Sequence, residues 1–248
     1  MIIKKLIGNI KIVTVYKKKT FLAIIPARAG SKRLKNKNIL TLNNKPLIGW
    51  TIEAGIQSRY IDELIVSTDN DKIAKISKKY GAKIPFLRPQ NLAKDKSKTS
   101  DVVKHAINFY HKKFKNFFDF ILILQPTSPL RNNKDIDNAI KFLVNKKADA
   151  VISVCESQYL TKWSCKLTKN KKMNTFFQKK NFKNICQDQT KYFRLNGAIY
   201  ICNVDKFLKQ NSIFLKKNVY AFEMPQEKSL DIDTKLDFSS AQTILKNK

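Results

Sequence analysis

The sequence predicts an α/β fold: a mixed, mainly parallel sheet with helices on both faces. Three observations carry that expectation. From residue 21 onward, apolar runs of strand length alternate with amphipathic runs of helix length. The apolar runs are near-continuous, as strands covered on both faces must be. A chain of 248 residues with 43% hydrophobic content can also bury one sizeable core.

FLAIIPA, beginning at Phe21, reads as a buried strand, and 46–57 as a helix opened by Pro46 at its first turn, where a missing N–H costs nothing. ELIVST (63–68) is the next strand. A helix over 71–80 stops at Gly81, a short strand spans 84–87, and a helix runs from about 100 to 113. FDFILIL (118–124) and ADAVISV (148–154) are apolar strands flanking a helix over 135–144. Residues 156–192 break the rhythm with Lys, Gln, Asn and scattered aromatics, which suits an excursion from the main sheet and a subunit contact. GAIYIC (197–202) resumes as a strand, VYAFEM (219–224) follows, and a helix from about 234 to 245 closes the pattern. The domain is expected over 20–248, after an N-terminal extension over 1–19. Ile2, Ile3, Leu6, Ile7 and Ile10 share one helical face among lysines there. That face suits a basic membrane-surface helix or, the preferred reading, a segment the domain does not need.

Composition excludes several function classes. The apolar runs are too short for a membrane span and no signal-type h-region follows the first lysines, so a cytoplasmic protein is expected. Cys155, Cys165, Cys186 and Cys202 form neither a C-x-x-C pair nor a dense disulfide spacing. With only His105 and His111, both on one expected helix, a His/Cys zinc site or a Ser-His-Asp triad has little to be built from. The net charge of +30 invites a nucleic-acid reading, but the lysines are spread along the chain without a basic stripe or a known DNA-binding spacing. Only six of the 49 basic residues are arginine, namely Arg28, Arg33, Arg59, Arg88, Arg131 and Arg194. Where lysine is used so freely, arginine points to a need for a planar fork that grips phosphate or carboxylate.

Three segments carry candidate chemistry. IPARAGSKRLKNKN (25–38) follows the first strand, where open α/β sheets bind ligands, and its amides and cations suit a triphosphate; a solvated basic loop is the alternative. It lacks both the P-loop pattern and the three-glycine dinucleotide fingerprint. LQPTSPLR (124–131) ends another strand, with Gln125, Thr127 and Ser128 offering neutral groups to sugar hydroxyls; a plain turn is the alternative. In SLDIDT (229–234), Asp231 and Asp233 share a face if the segment is extended, and two carboxylates with substrate phosphates suit Mg²⁺. One of them capping the last helix is the competing possibility.

These segments, with IVSTD (65–69), FLRPQNLAKDKSKTSDVV (86–103), RLNGAIY (194–200) and SLDIDTKLD (229–237), closely resemble the CMP-sialic acid synthetase (N-acylneuraminate cytidylyltransferase) family, in order and over residues 20–248. The resemblance implies a Rossmann-like nucleotidyltransferase sheet, a homodimer through the 156–192 excursion, Mg²⁺ or Mn²⁺ as cofactor, and CTP and a nonulosonic sugar acid as substrates. It implies Arg28 and Lys37 as the phosphate-binding pair, with Ser31 and Asn38 beside them. It also implies Arg88 and Thr99 at cytosine, Gln125 at the sugar acid, Arg194 and Asn196 on the sugar and ribose side, and Asp231 and Asp233 as metal carboxylates. In one departure, CQDQT stands where relatives usually show an R-Q-x-L-P-like stretch, with Cys186 at the arginine position. This leaves open the contact to the sugar-acid carboxylate. The implied reaction is CTP plus sugar acid to CMP-sugar and pyrophosphate. Legionaminic or another nonulosonic acid is the alternative acceptor, and a basic nucleic-acid-binding protein the alternative class.

Overall fold

The computed structural model describes residues 2–5, 13–115, 117–157 and 191–247. The chain opens with an antiparallel pair, β1 (Ile2–Lys5) and β2 (Val13–Tyr16). Residues 2–5 are extended rather than part of the helix offered as an alternative, whose Leu6, Ile7 and Ile10 lie outside the described residues: the β-branched run Val13–Thr14–Val15 favours extended backbone, and its strand pairs with Ile2 and Ile3. The Tyr16 ring meets that of Tyr60 at 4.2 Å, tilted, and Thr20 bonds Asp119 through both its amide and its hydroxyl, so residues 16 and 20 both touch the domain.

The main sheet starts with β3 (Phe21–Pro26). A short hairpin, β4 (Thr41–Leu42) and β5 (Lys45–Pro46), turns through Asn43 and Asn44, both at positive φ, which asparagine tolerates. Pro46 is the N-cap of α1 (Leu47–Ile56), one position before the expected first turn. Next come β6 (Glu63–Ser67), α2 (Asp71–Lys79), α3 (Thr99–Phe114), β7 (Phe120–Ile123), α4 (Asn133–Lys146) and β8 (Ala150–Glu156). The chain resumes as β9 (Phe193–Asn203), α5 (Val204–Gln210), β10 (Val219–Glu223) and α6 (Lys235–Lys246). The expected strand at 84–87 does not form. A single bridge joins Lys83 to Ile65, and Pro85 then lacks the amide that a ladder needs. Most of the 156–192 excursion, with Cys165 and Cys186, lies outside the described residues.

The six strands run in the order β10-β8-β9-β7-β3-β6. β9 is antiparallel to β7 and β8, and the other pairings are parallel, so the sheet is mixed and mainly parallel. β3 shows why its run is apolar throughout. Phe21, Ala23 and Ile25 enter one core with residues of α1, α2 and α4, while Leu22 and Ile24 enter the other with residues of α3 and α5. A third cluster, with Leu34, Leu42, Leu47, Ile232 and Ala241, fastens the hairpin and α6 beneath the loops at the carboxyl ends of β3 and β7.

Candidate active site

Those loops enclose a cleft of about 520 Å³ where open α/β sheets take ligands. Arg28, Ser31, Lys37, Asn38, Arg88, Thr99, Gln125 and Asp233 all line it. Eight of the eleven residues expected from the sequence therefore meet on one wall-to-wall surface, across 205 positions of chain.

One wall is cationic. Asn38 is buried and its Nδ2 donates to the Arg28 carbonyl at 3.0 Å, which fixes the turn that presents the arginine. Arg28 Nη1 meets Asp95 Oδ1 at 2.7 Å, and Lys32 Nζ meets Asp95 Oδ2 at 2.5 Å. Hydrogen bonds from Lys32 and then Arg28 hold the Asp95 carboxyl below its usual range. Lys37 Nζ bonds the Ile232 carbonyl at 2.6 Å and Asp233 Oδ1 at 2.9 Å, and Arg33 reaches Asp233 Oδ2 at 2.9 Å. Each carboxylate here holds two cations in place. Arg88 is buried: its Nε donates to the Ser67 hydroxyl at 3.1 Å and its Nη2 to the Ser67 carbonyl. Burial lowers its pKa to about 10, so it remains a cation at neutral pH.

The opposite side is a neutral network. Between Ile152 and Val154 of β8 the pairing with β9 shifts, because Tyr200 and Leu195 are their partners and four residues bulge out between these. That bulge holds Asn196 and Gly197. Asn196 accepts from the Ser153 hydroxyl at 2.5 Å and from the Ala198 amide at 3.1 Å, and its Nδ2 donates to the Ser229 hydroxyl at 2.9 Å. Ser229 in turn donates to the Pro225 carbonyl at 2.7 Å, and Arg194 Nη2 donates to the Ser229 carbonyl at 3.2 Å. Asn196 thus sits behind the cleft, 1% exposed, and ties β8 and β9 to the segment bearing Asp231 and Asp233; Arg194 is exposed beside it. Gly197 has φ of +74°, and a Cβ there would lie 2.8 Å from Gln125 Oε1, so both backbone and space require glycine.

Asp231 and Asp233 flank Ile232, which is buried in the third cluster. Asp233 faces the cleft, whereas Asp231 lies behind it, hydrogen-bonded to the Thr127 side chain. Burial raises the Asp231 pKa, the Thr127 bond opposes this, and Asp233 raises it further. Neither aspartate caps α6: Thr234 does, in a capping box with Asp237. The donors suit a hard divalent cation, because Asp231 Oδ1 is a buried oxygen with no hydrogen-bond partner, close enough to Asp233 for their charges to interact. Among the described residues no three His, Cys, Asp or Glu side chains gather to hold a metal. Further oxygens would have to come from substrate phosphates and water, which is how Mg²⁺ is commonly held.

Sequence reasoning missed Asp95, Ser67, Ser153 and Ser229. Asp95 left a trace as the one acid within the run KDKSK (94–98), and Ser67 and Ser229 lie in the segments IVSTD and SLDIDT, whereas Ser153 lies in no motif. The serines are ordinary until β8, β9 and the 229–233 segment are brought together.

A family model described as cytidylyltransferase matches residues 22–248. An N-acylneuraminate cytidylyltransferase of Escherichia coli O18:K1:H7 is 37% identical over 92% of this chain, which spans 52% of that protein's length. A pseudaminic acid cytidylyltransferase of Campylobacter jejuni is 33% identical, covering 91% of this chain and 96% of that one. A CMP-N,N'-diacetyllegionaminic acid synthase of Legionella pneumophila is 36% identical, covering 90% and 95%. Among solved structures, a CMP:2-keto-3-deoxy-manno-octonic acid synthetase complexed with CTP shares the fold, with a TM-score of 0.67 at 17% identity over 92% of this chain and 99% of that one. No helix among the described residues is long and apolar enough to cross a membrane. The match over 22–248, on a mainly parallel sheet whose cleft unites cations and carboxylates, means that the chain belongs to the cytidylyltransferase family, together with the N-acylneuraminate cytidylyltransferases.

Proposed function

We propose that the chain transfers a cytidylyl group from CTP to a nonulosonic acid, N-acylneuraminic acid first, and releases pyrophosphate. The observation that carries this reading is the meeting in one cleft of Arg28, Lys37 and Asp233 with Gln125. Arg28 and Lys37 hold the phosphates, Lys37 from a half-buried position where its charge is weakly screened, with Ser31 and Asn38 lining the same turn. Arg88 and Thr99 face the base and set the preference for cytosine. Gln125 meets the sugar acid, with Arg194 near the same end, while Asn196 acts from behind through Ser229. The anomeric hydroxyl attacks the α-phosphorus in line, so the side chains chiefly position the reactants and offset phosphate charge.

Asp231 and Asp233 would hold Mg²⁺ or Mn²⁺, which supplies charge neutralisation at the α-phosphate when bound. As phosphates draw Lys37 and Arg33 away, the Asp233 carboxylate becomes available. A homodimer is proposed as well, supported by Phe193 and Leu195, which are 45% and 50% exposed at the edge of the 156–192 segment. Sedimentation at micromolar concentration tests it.

The names of the relatives support three acceptors, so the deciding measurement is pyrophosphate release from each of the four NTPs with N-acetylneuraminic, legionaminic and pseudaminic acids. CTP with N-acetylneuraminic acid is expected to be fastest. Faster turnover of legionaminic acid would move the assignment to that acceptor, and equal use of UTP would remove the base-reading role of Arg88 and Thr99.

A further inference from the structure

We infer that Arg131 is a positioning residue for the acceptor end of the site, a buried guanidinium whose Nη1 clamps the loop bearing Gln125 and Thr127 onto β9; this rests on the reading of Gln125 as the sugar-acid contact. Arg131 is 2% exposed, and its Nη1 donates to the carbonyls of Ser128 at 3.2 Å, Ala198 at 3.3 Å and Gln125 at 3.4 Å. Two of these belong to the loop after β7, and the third follows Gly197 on β9. Burial lowers the Arg131 pKa to about 10, which leaves it charged at neutral pH. Its nearby acid, Asp135, is already paired with Lys228 at 2.7 Å. A buried cation without a carboxylate of its own is costly, and an apolar side chain of similar volume would fill the space more cheaply. What the guanidinium adds is three carbonyls drawn to one point by charge-assisted bonds.

The consequence of that gathering reaches the cleft. The Thr51 hydroxyl also donates to the Gln125 carbonyl, at 3.3 Å, so this peptide is held from two sides and the Gln125 side chain is left to line the cleft. The Thr127 carbonyl accepts the Ile232 amide at 2.8 Å, and the Thr127 side chain bonds Asp231. Gln125 Oε1 packs against the Cα of Gly197 closely enough to exclude a Cβ. A turn released by Arg131 would therefore misplace Gln125 and Thr127 together. Most of the nucleotide wall is anchored elsewhere, with Arg28 on Asp95 and Arg88 on Ser67, and only Lys37 shares the Ile232–Asp233 segment with Thr127.

The test is Arg131→Lys, which keeps the charge but ends one atom short of Nη1, the group that gathers the three carbonyls. KM for N-acetylneuraminic acid at saturating CTP, or for whichever nonulosonic acid is turned over fastest, should rise tenfold or more. The Kd of CTP, measured by calorimetry without sugar acid, should stay within twofold of the parent. A CTP Kd weakened in proportion to the sugar-acid KM, or neither value moving, overturns the clamp. If Arg131→Lys does not fold, Thr51→Val removes the second donor to the Gln125 carbonyl and should give the same one-sided rise, about two- to threefold; a two-sided change or none overturns the clamp. Gln125→Ala separates the two readings. If it is silent while Arg131→Lys is not, the Gln125 assignment fails and the clamp stands. If it is impaired while Arg131→Lys is silent, the clamp alone fails.

Discussion

Along the cationic wall, buried Arg88 apart, the charged groups are partly exposed: Arg28 and Lys32 have 35% and 79% of their side chains accessible where they meet Asp95. Across the cleft, Ser153, Asn196 and Ser229 are at most 1% exposed and hydrogen-bond one another. Exposed ion pairs are weak and exchange partners readily, whereas a buried, mutually satisfied network holds one geometry. The difference matches the two tasks. In the proposed reaction a triphosphate enters and pyrophosphate leaves on one side, while on the other an acceptor hydroxyl must be kept in line with phosphorus.

The comparison breaks most easily where the sides meet. Asp231→Asn and Asp233→Asn should each lower kcat on the order of a hundredfold or more while the fold persists, as loss of a transition-state charge contact does. Near-normal turnover of either variant at limiting Mg²⁺ would remove that carboxylate from the metal site. Next, Arg28→Lys should lose roughly tenfold or more in kcat/KM for CTP with an unchanged Tm, because it keeps the charge and loses the fork. Arg59, exposed and outside the motifs, is its control, and an equal defect in Arg59→Lys would empty arginine scarcity of meaning.

The neutral side should answer in stability instead. Ser153→Ala leaves the Ile199 amide without its bond to the Ser153 hydroxyl, now 2.8 Å long, and should cost about 1–3 kcal/mol by denaturant unfolding, with little salt dependence. A loss that salt erases would mean the network is electrostatic after all. The smallest effect expected is from Asp95→Asn. Removing the carboxylate that occupies Arg28 and Lys32 should tighten CTP binding about two- to fivefold at low salt, a gain that fades as salt screens the pair. Weaker CTP binding in that variant would make Asp95 a ligand of the bound state.

Much of this was legible in the chain. β3 announces itself because all of FLAIIP is apolar, and among the eight expected site residues lining one cleft Arg28 and Gln125 follow strand ends while Lys37 and Thr99 open helical turns. What escaped depends on contacts distant in sequence. Asn196 reads as a substrate ligand from its motif, yet the bulge opposite Ser153 turns it inward, and the pairing of β8 with β9 cannot be read from either strand alone. Residues 84–87 have strand-like composition, but Pro85 ends the ladder after one bridge. Ile2 and Ile3 fit a helical wheel, and the strand that pairs with them instead lies more than seven residues further on.

The insertion of β9 between β7 and β8 has a consequence for biosynthesis. Until residues 193–203 leave the ribosome, β7 presents an open, fully apolar edge. At ordinary elongation rates the interval from Ile123 to Phe193 lasts on the order of several seconds, long enough for a nascent chain to meet a chaperone or another nascent chain. Closing that edge sets Asn196 and Gly197 behind the cleft, and the site is completed only when the 229–233 segment follows; a chain truncated before residue 193 would be both inactive and prone to aggregate.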